Sequence, residues 1–398
     1  MNNPLEHRVP NISATGLQSG FSIACLDRQE IFALGENWEK LSRNAVEENP
    51  YYSPIFMRAA LENLEANSDL KALAVYRGET LVGFCPFVVD KWRWLGACSV
   101  NRAWINPYST LTIPLVDRRC PREVVASLLN AMAEHGACRN FWLFDNFNLD
   151  GSVGRLFREF FKTENIASEI FDEFDRPVLE QGSTFEQHMR DHVSKNRRKS
   201  LKRNHRNLSE RGKVEMRSFT AGPELMAAVE DFLTIEASGW KGEQGTALAC
   251  HRNSRKFARQ AFGGSGGKSI TRADVLYLDE FPIAVSLSIY TGKTAFTLKS
   301  AYDETYRSFS PGLLLEAAII EDFFESQWVE YLDSAVTTTG HVIQGLWNSS
   351  IRVGDLLLCA DGRRSSDSFQ NFSHIEKLRR MSRQKLKNIV AKYRGEAV

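Results

Sequence analysis

Between Tyr302 and Gly312 the chain reads YDETYRSFSPG, joining the apolar run Ala295–Ser300 to a long apolar stretch that begins at Pro311. Ser310 suits the cap of a helix, and Pro311 has no N–H to leave unpaired in the first turn. Small residues and free backbone N–H groups at a helix start form an anion site, because the donors and the helix dipole point at the same place. Arg307, three residues before the cap, could pair with a phosphate. The same residues also suit a well-capped core helix behind an ordinary loop. The glycine-rich run Gly263–Ser269 (GGSGGKS) is a weaker candidate. A triphosphate-cradling loop requires Gly five positions before Gly267, where Phe262 stands, and it should lead from a strand into a helix. Here the order is reversed, so the run reads as a surface loop.

Other chemistries find little support. The seven cysteines (Cys25, Cys85, Cys98, Cys120, Cys138, Cys250 and Cys359) are scattered, without a CxxC pair. That pattern points to buried free thiols in a reducing, cytosolic compartment and not to a disulfide framework or zinc site. No His/Cys/Asp cluster has metal-ligand spacing, and no Ser-His-Asp set can be read from one sequence.

The elements that would position these residues fall into two blocks of similar order. In the first, Trp38–Asn44 and Pro54–Asn63 carry helical spacing. A hairpin of Leu70–Tyr76 and Leu81–Val89 follows around Gly78, then a helix opening at Pro121, a strand over Asn140–Asp145 and a helix over Ser152–Phe161. In the second, Val214–Phe219 is strand-like. The helix opened by Pro223 places Leu225, Val229, Phe232 and Leu233 on one buried face. Strands over Asp274–Leu278, Ile283–Tyr290 and Ala295–Ser300 come next, then the helix from Pro311 to about Phe324 and the strand Val329–Asp333. A helix over His341–Ser350 and a strand over Val353–Ala360 finish the block. The expected fold is α+β, with two similar units over 21–180 and 181–360, each a mixed, mostly antiparallel sheet flanked by helices. Residues 1–20 read as a disordered start and 361–398 as a basic helical tail.

One long helix is expected over Ser183–Gly212, with Ser183 and Glu186 as a capping box and Gly212 in the left-handed position after its end. Phe185, Met189, Val193, Leu201 and Leu208 trace its apolar stripe, while Arg190–Lys213 holds ten Lys or Arg against Asp191 and Glu210, a net +8. Lys195, Arg197, Arg198, Lys199, Lys202 and Arg203 form a candidate anion-binding patch. Its candidate partners are tRNA, the phosphates of a cofactor, a phosphorylated acceptor or an anionic membrane surface. Aromatic residues are not interleaved through it, which disfavours a stacking platform for single-stranded nucleic acid.

The whole chain of 398 residues has 50 Lys plus Arg against 49 Asp plus Glu, a formal net charge of +1. The tail from Asp361 holds a net +6, so the rest of the chain outside the two basic segments sums to −13. Neutrality is therefore a cancellation between an acidic body and two basic segments. With 43% hydrophobic and 25% charged residues, the composition is that of a folded globular protein. No apolar run approaches the ~18–20 residues of a membrane span. The reading is a cytoplasmic protein, with peripheral association to the inner membrane through its basic segments as a further expectation.

Three segments, KNRRKSLKRNHRNLSERG, FLTIEASGWKGEQGTAL and SAYDETYRSFSPGLLLEAAI, together resemble the C-terminal acyltransferase domain of the CelD-type (cellulose biosynthesis, BioF2-like) branch of the GNAT superfamily. EYLDSAVTTTGHVIQGLW fits that branch too, and ENPYYSPIFMRAAL, TLVGFCPFVV and NPYSTLTIPLVD resemble its N-terminal half, so the likeness covers most of Trp38–Ala360. It implies two GNAT-like folds in tandem, as in the Fem-type peptidoglycan aminoacyltransferases. It also implies acyl-CoA as co-substrate without a metal, and transfer of an acetyl or other acyl group to an amine or hydroxyl of a small-molecule or glycan-precursor acceptor. The coenzyme A pyrophosphate site maps onto Phe309, Ser310, Pro311, Gly312 and Leu313, with Arg307 beside it. The superfamily signature Gln/Arg-x-x-Gly-x-Gly/Ala is met here by Arg307-Ser-Phe-Ser-Pro-Gly312, which lacks the first glycine. The resemblance further points to Asp333 or His341 as base, to Tyr302 or Tyr306 as proton donor to the leaving thiolate, and to Trp240, Lys241 and Trp347 on the acceptor side. An aminoacyl-tRNA-dependent transferase and a degenerate, non-catalytic GNAT pair are the alternative readings.

Overall fold

The computed structural model describes residues 20–65, 69–92, 98–135, 141–264, 269–338, 342–360 and 366–393. The first half runs through β1 (Phe21–Asp27), α1 (Arg28–Ala33), α2 (Gly35–Arg43), α3 (Pro54–Asn63), β2 (Lys71–Arg77), β3 (Thr80–Trp92), β4 (Cys98–Ala103) and the short β5 (Leu115–Val116). It continues with α4 (Pro121–His135), β6 (Phe141–Asn148), α5 (Ser152–Thr163) and β7 (Ser168–Glu180). The second half opens with α6 (Phe185–His192), α7 (Lys195–Ser209), β8 (Val214–Phe219), α8 (Gly222–Ser238), α9 (Trp240–Glu243) and α10 (Arg252–Gly263). Then come β9 (Thr271–Leu278), β10 (Phe281–Thr291), β11 (Thr294–Tyr302), α11 (Pro311–Ser326), β12 (Tyr331–Asp333), β13 (Ser349–Cys359) and the tail helix α12 (Ser366–Tyr393).

Among the described residues all thirteen strands belong to one sheet in the order β1-β2-β3-β4-β6-β13-β7-β12-β11-β10-β9-β8, with β5 added beside β3. Only the pairs β4–β6 and β11–β12 are parallel; the other pairings are antiparallel. Read inward from its two edges, the sheet repeats itself: β1-β2-β3-β4-β6 matches β8-β9-β10-β11-β12. At the centre the last strand of each half is exchanged, since β7 pairs with β12 and β13 pairs with β6. This is the expected mixed α+β architecture, in which strands of both halves share one sheet.

Helices cover both faces because each has one apolar side. Leu225, Val229, Phe232 and Leu233 of α8 are buried as their spacing predicts, in a core shared with α3, α4 and α10. A second core joins α11 to α6, α7 and strands β9 and β12. The tail helix α12 packs Phe369 and Phe372 against Phe141 of β6.

Four local expectations are corrected. The basic segment is two helices and not one: Val193 is extended and buried, and Ser194 caps α7 by accepting a hydrogen bond from the Arg197 N–H at 3.3 Å. Thr184, not Ser183, caps α6, accepting from the Gln187 N–H at 3.2 Å. Gly212 is not left-handed; α7 ends at Glu210 in right-handed helical conformation. The helix expected over His341–Ser350 is a short 3-10 turn, Val342–Leu346, followed directly by β13. Strand β7 escaped the sequence reading because Pro177 and its many charged residues break the alternation that marks a strand.

Candidate active site

The parallel pairing of β11 with β12 covers only Thr294–Phe296 against Tyr331–Asp333. Beyond it β11 continues to Tyr302, whereas β12 stops, so a fork opens between them. At the fork Lys299 pairs with Leu287 and Thr297 with Ser288, which leaves Leu298 as one extra residue on β11. Such a bulge takes the backbone groups of that residue out of the ladder and kinks the strand.

A cavity of about 310 Å³ fills the fork. Thr297, Leu298, Lys299 and Ser300 of β11 form one wall, and Ser334–Thr338 after β12 form another. A third comes from the first half of the chain, as the loop Pro107–Thr110. That loop belongs to the long passage between β4 and α4, where the second half instead has the short junction between β11 and α11. The fork and helix start thus come from the second half, while the first half supplies a wall. The hydroxyls of Ser109, Thr297 and Ser334 are buried and have no hydrogen-bond partner among the described residues. Unpaired buried polar groups cost free energy, and three of them around one cavity fit a polar ligand better than a dry core.

Glu316 enters this cavity from the second turn of α11. It is 6% exposed, and burial pushes its carboxyl up to about 7; the Trp347 indole N–H, donating to Glu316 Oε1 at 2.8 Å, partly opposes that rise. Lys299 faces the same space with its ammonium 4.8 Å from the centre of the Tyr108 ring, which stacks on Phe257. Burial and the neighbouring Lys241 lower the pKa of Lys299. A carboxyl poised near neutrality in a polar cleft is suited to proton transfer, and Lys299 adds a cation to the same lining.

The sequence-predicted residues fall at varied distances from this centre. Asp333 is 2% exposed and lies beneath the cavity, 3.6 Å from the Arg176 guanidinium. It accepts the Ala335 N–H at 2.6 Å, pinning a left-handed residue in the cavity wall. Burial raises its pKa although Arg176 opposes the rise. The fully buried Arg176 also donates to the Thr110 carbonyl at 2.7 Å and to the Val336 carbonyl at 2.9 Å, joining two cavity walls. Trp347 is buried against Glu316 and is not among the lining residues. His341 lies outside the described residues.

At the start of α11, Ser310 is left-handed (φ 53°) and makes no side-chain cap; its hydroxyl instead meets Asn204 of α7 at 3.3 Å. The expected cap at Ser310 is therefore corrected. The N–H groups of Leu313 and Leu314 return to the Ser310 carbonyl, and Pro311 has none, so this cradle offers few free donors. Tyr302 is exposed beside it, since a Cβ on Gly312 would lie 3.4 Å from the Tyr302 ring. Arg307 is exposed, and Phe309 lies under the Arg211 guanidinium. Trp240 is exposed, its backbone N–H donating to Glu304 at 3.0 Å, while Lys241 is held by Glu236 at 3.0 Å.

Glu316, Lys299, Tyr108 and the three hydroxyls were missed by sequence reasoning. One signal was available: an acid set within the apolar run LLLEAAII, on the side of the helix that must face the protein. Among the described residues no group of three or more His, Cys, Asp or Glu side chains could hold a metal ion, and no helix is long and apolar enough to cross a membrane.

Residues 195–339 match the family described as "Acetyltransferase (GNAT) domain", a span containing the fork, Lys299 and Glu316. No curated protein matches the sequence. The structure of FemX is similar at TM-score 0.52 and 10% identity, over 81% of this chain and 95% of that one. The C-terminal domain of a putative lysylphosphatidylglycerol synthetase from Agrobacterium fabrum is similar at 0.51 and 10%, over 87% and 95%. A protein of unknown function from Bacteroides thetaiotaomicron is similar at 0.50 and 10%, over 82% and 97%. At such identity these likenesses speak for the fold alone. The chain has a GNAT acyltransferase-like fold, and its residues 195–339 match the acetyltransferase (GNAT) domain.

Proposed function

We propose that this protein transfers an acyl group from acyl-CoA to an amine or hydroxyl within the fork cavity, with Glu316 as general base. The observation that carries the reading is the buried Glu316 carboxyl, pushed up to about 7, in a cleft walled by unpartnered hydroxyls. Direct acyl transfer requires the two reactants in line, a base for the acceptor's proton and donors for the oxyanion. Glu316 is placed to take the acceptor's proton. The backbone N–H at the Leu298 bulge and the Ser334 hydroxyl are candidate donors for the oxyanion. Lys299 would hold an anionic part of the acceptor. When bound, acyl-CoA supplies the activated thioester and its thiolate leaving group, which Tyr302 could protonate. The residues that would hold its pyrophosphate are Arg307 and the backbone from Phe309 to Leu313.

The motif resemblance supports the finer CelD-type assignment, with an acceptor on a polysaccharide or envelope precursor. It also supports two GNAT-like units over 21–180 and 181–360, of which the second holds the chemistry. A second reading, transfer from aminoacyl-tRNA, is favoured by the small number of free N–H donors at the start of α11.

A thermal melt decides between the donors. Acetyl-CoA at a hundred times its Kd should add about 2.7 kcal/mol of stability. The shift should vanish in Gly312→Trp, whose side chain would fill the space beside Tyr302, while the unliganded melt stays near that of the wild type. If no acyl-CoA shifts the melt and an aminoacyl-tRNA does, the coenzyme reading fails in favour of the second.

A further inference from the structure

A second cavity, larger than the fork, lies on the other side of α11. A groove of about 930 Å³, within the usual range of about 300–1,000 Å³ for small-molecule clefts, lies between α6, α7 and α11, over the edge of β8 and β9. It meets α11 through Leu314, Ala317, Ala318 and Glu321, whereas Glu316 turns toward the fork on the opposite side of that helix.

Two features of the groove point to one kind of ligand. The first is charge. Lys195, Arg198, Lys199 and Lys202 line it at helical spacing i, i+3, i+4 and i+7, so they form a single stripe on α7. None of the four makes an ion pair among the described residues, and the Nε of Arg198 is buried without a hydrogen-bond partner. A buried guanidinium N–H left without an acceptor is costly, so it argues for an acceptor brought by a ligand. Of the three carboxylates in the lining, Glu215 is already engaged by Lys213 at 2.7 Å and Arg217 at 3.2 Å. Glu186 and Glu321 belong to the α6 and α11 walls and not to the α7 stripe.

The second feature is the floor. Directly under the cations lie Leu201, Val214, Met216, Leu276 and Leu314, and the small Ala317 and Ala318 give the groove its depth. A soluble phosphate has no use for such a floor. A single-stranded nucleic acid would require stacking surfaces, and among the described residues Phe185, packed onto the core, is the only Phe, Tyr or Trp in the lining; the phosphate backbone of a duplex or tRNA, like free phosphate, makes no use of the apolar floor.

We propose that this groove binds one acyl chain of an anionic phospholipid, with the lipid phosphate on the Lys195–Arg198–Lys199–Lys202 stripe. The protein would thereby sit on an anionic membrane surface through a defined lipid site, with the fork cavity on the other side of α11. This proposal does not depend on the reaction assigned to the fork.

The test uses the full chain and a soluble single-chain probe, myristoyl lysophosphatidylglycerol below its micelle concentration, followed by calorimetry. It should bind at least tenfold more tightly than the matching lysophosphatidylcholine, and at least tenfold more tightly than glycerol 3-phosphate. The surface pair Lys199→Glu/Lys202→Glu should lose at least tenfold by removing charge. Ala318→Phe should lose as much by filling the groove with the charge intact. Both variants should keep the wild-type response to acetyl-CoA. Equal binding of lysophosphatidylcholine would reduce the groove to an apolar patch, and equal binding of glycerol 3-phosphate would reduce it to a phosphate contact. Unchanged binding in Ala318→Phe, or displacement of the probe by tRNA, would equally overturn the proposal.

Discussion

Replacing Glu316 with Gln is expected to slow acyl transfer by about 10²–10⁴-fold, the usual contribution of a positioned base, and at the same time to stabilise the protein above pH 7. Both effects come from the same burial. In the folded chain the carboxyl titrates near 7, against an ordinary value of 4.5. Between those values the unfolded chain has released its proton while the folded one still holds it, so stability falls as pH rises and is lowest above about 7. That rise in pKa corresponds to a few kcal/mol, at about 1.36 kcal/mol for each tenfold change in proton affinity. Gln keeps the shape and can still accept from the Trp347 indole, yet never ionises. Melts of Glu316→Gln should therefore decline less steeply from pH 5 to 8 than those of the wild type, the remaining decline coming from Glu47, whose buried carboxyl is also pushed up to about 7. The rate should behave in the opposite sense. Wild-type kcat/KM should climb with pH through about 7 as the base form appears, and Glu316→Gln should lack that limb. Trp347→Phe removes a hydrogen bond that favours the ionised form, so its limb should move above that of the wild type. An unaltered pH–rate profile in Glu316→Gln would remove this residue from the proposed role.

The second large effect is expected at Arg176. Its guanidinium is fully buried, faces Asp333 at 3.6 Å and donates to the carbonyls of Thr110 and Val336. Arg176→Met leaves the Asp333 carboxylate buried without its cation, a change that typically costs ~3–5 kcal/mol. The melting temperature should drop clearly, and adding Asp333→Asn should recover part of the loss because the orphaned charge is gone. Neither variant restores the two carbonyl contacts that tie the Pro107–Thr110 loop to the wall after β12. Hence kcat should stay low in the double variant even where stability returns. Arg176→Lys keeps the charge but cannot span both carbonyls and the carboxylate, so it should separate the effects, with stability nearer the wild type and kcat still reduced. If the double variant regains full kcat, the guanidinium only neutralises Asp333 and does not position the loop.

Much of the architecture was legible in local pattern. The helix from Pro121, the hairpin around Gly78, strand β8 and the junction from β11 into α11 appear where periodicity and punctuation place them, because helix and strand periods depend on neighbours a few residues apart. Where reading failed locally, a side-chain cap or a tertiary contact decided the outcome. Val193 leaves the helix to bury itself against the second core while Ser194 starts the next one. In β7, Pro177 is accommodated where its carbonyl accepts the Ser334 N–H.

The site is a different matter. By itself the sequence determined the α+β class, the likeness of the two halves, the helix start at Pro311 and the concentration of positive charge on α7. Only the tertiary structure decided which groups meet. Exchange of β7 and β13 at the centre of the sheet brings Arg176 to Asp333 and holds the Pro107–Thr110 loop against the fork, although these residues stand far apart in the chain. The Leu298 bulge exists only in the register between β10 and β11, and the raised proton affinity of Glu316 exists only once α11 has buried it. Periodicity records which face of an element is apolar. Proton affinity depends on dielectric and on partners, and those are properties of the packed molecule.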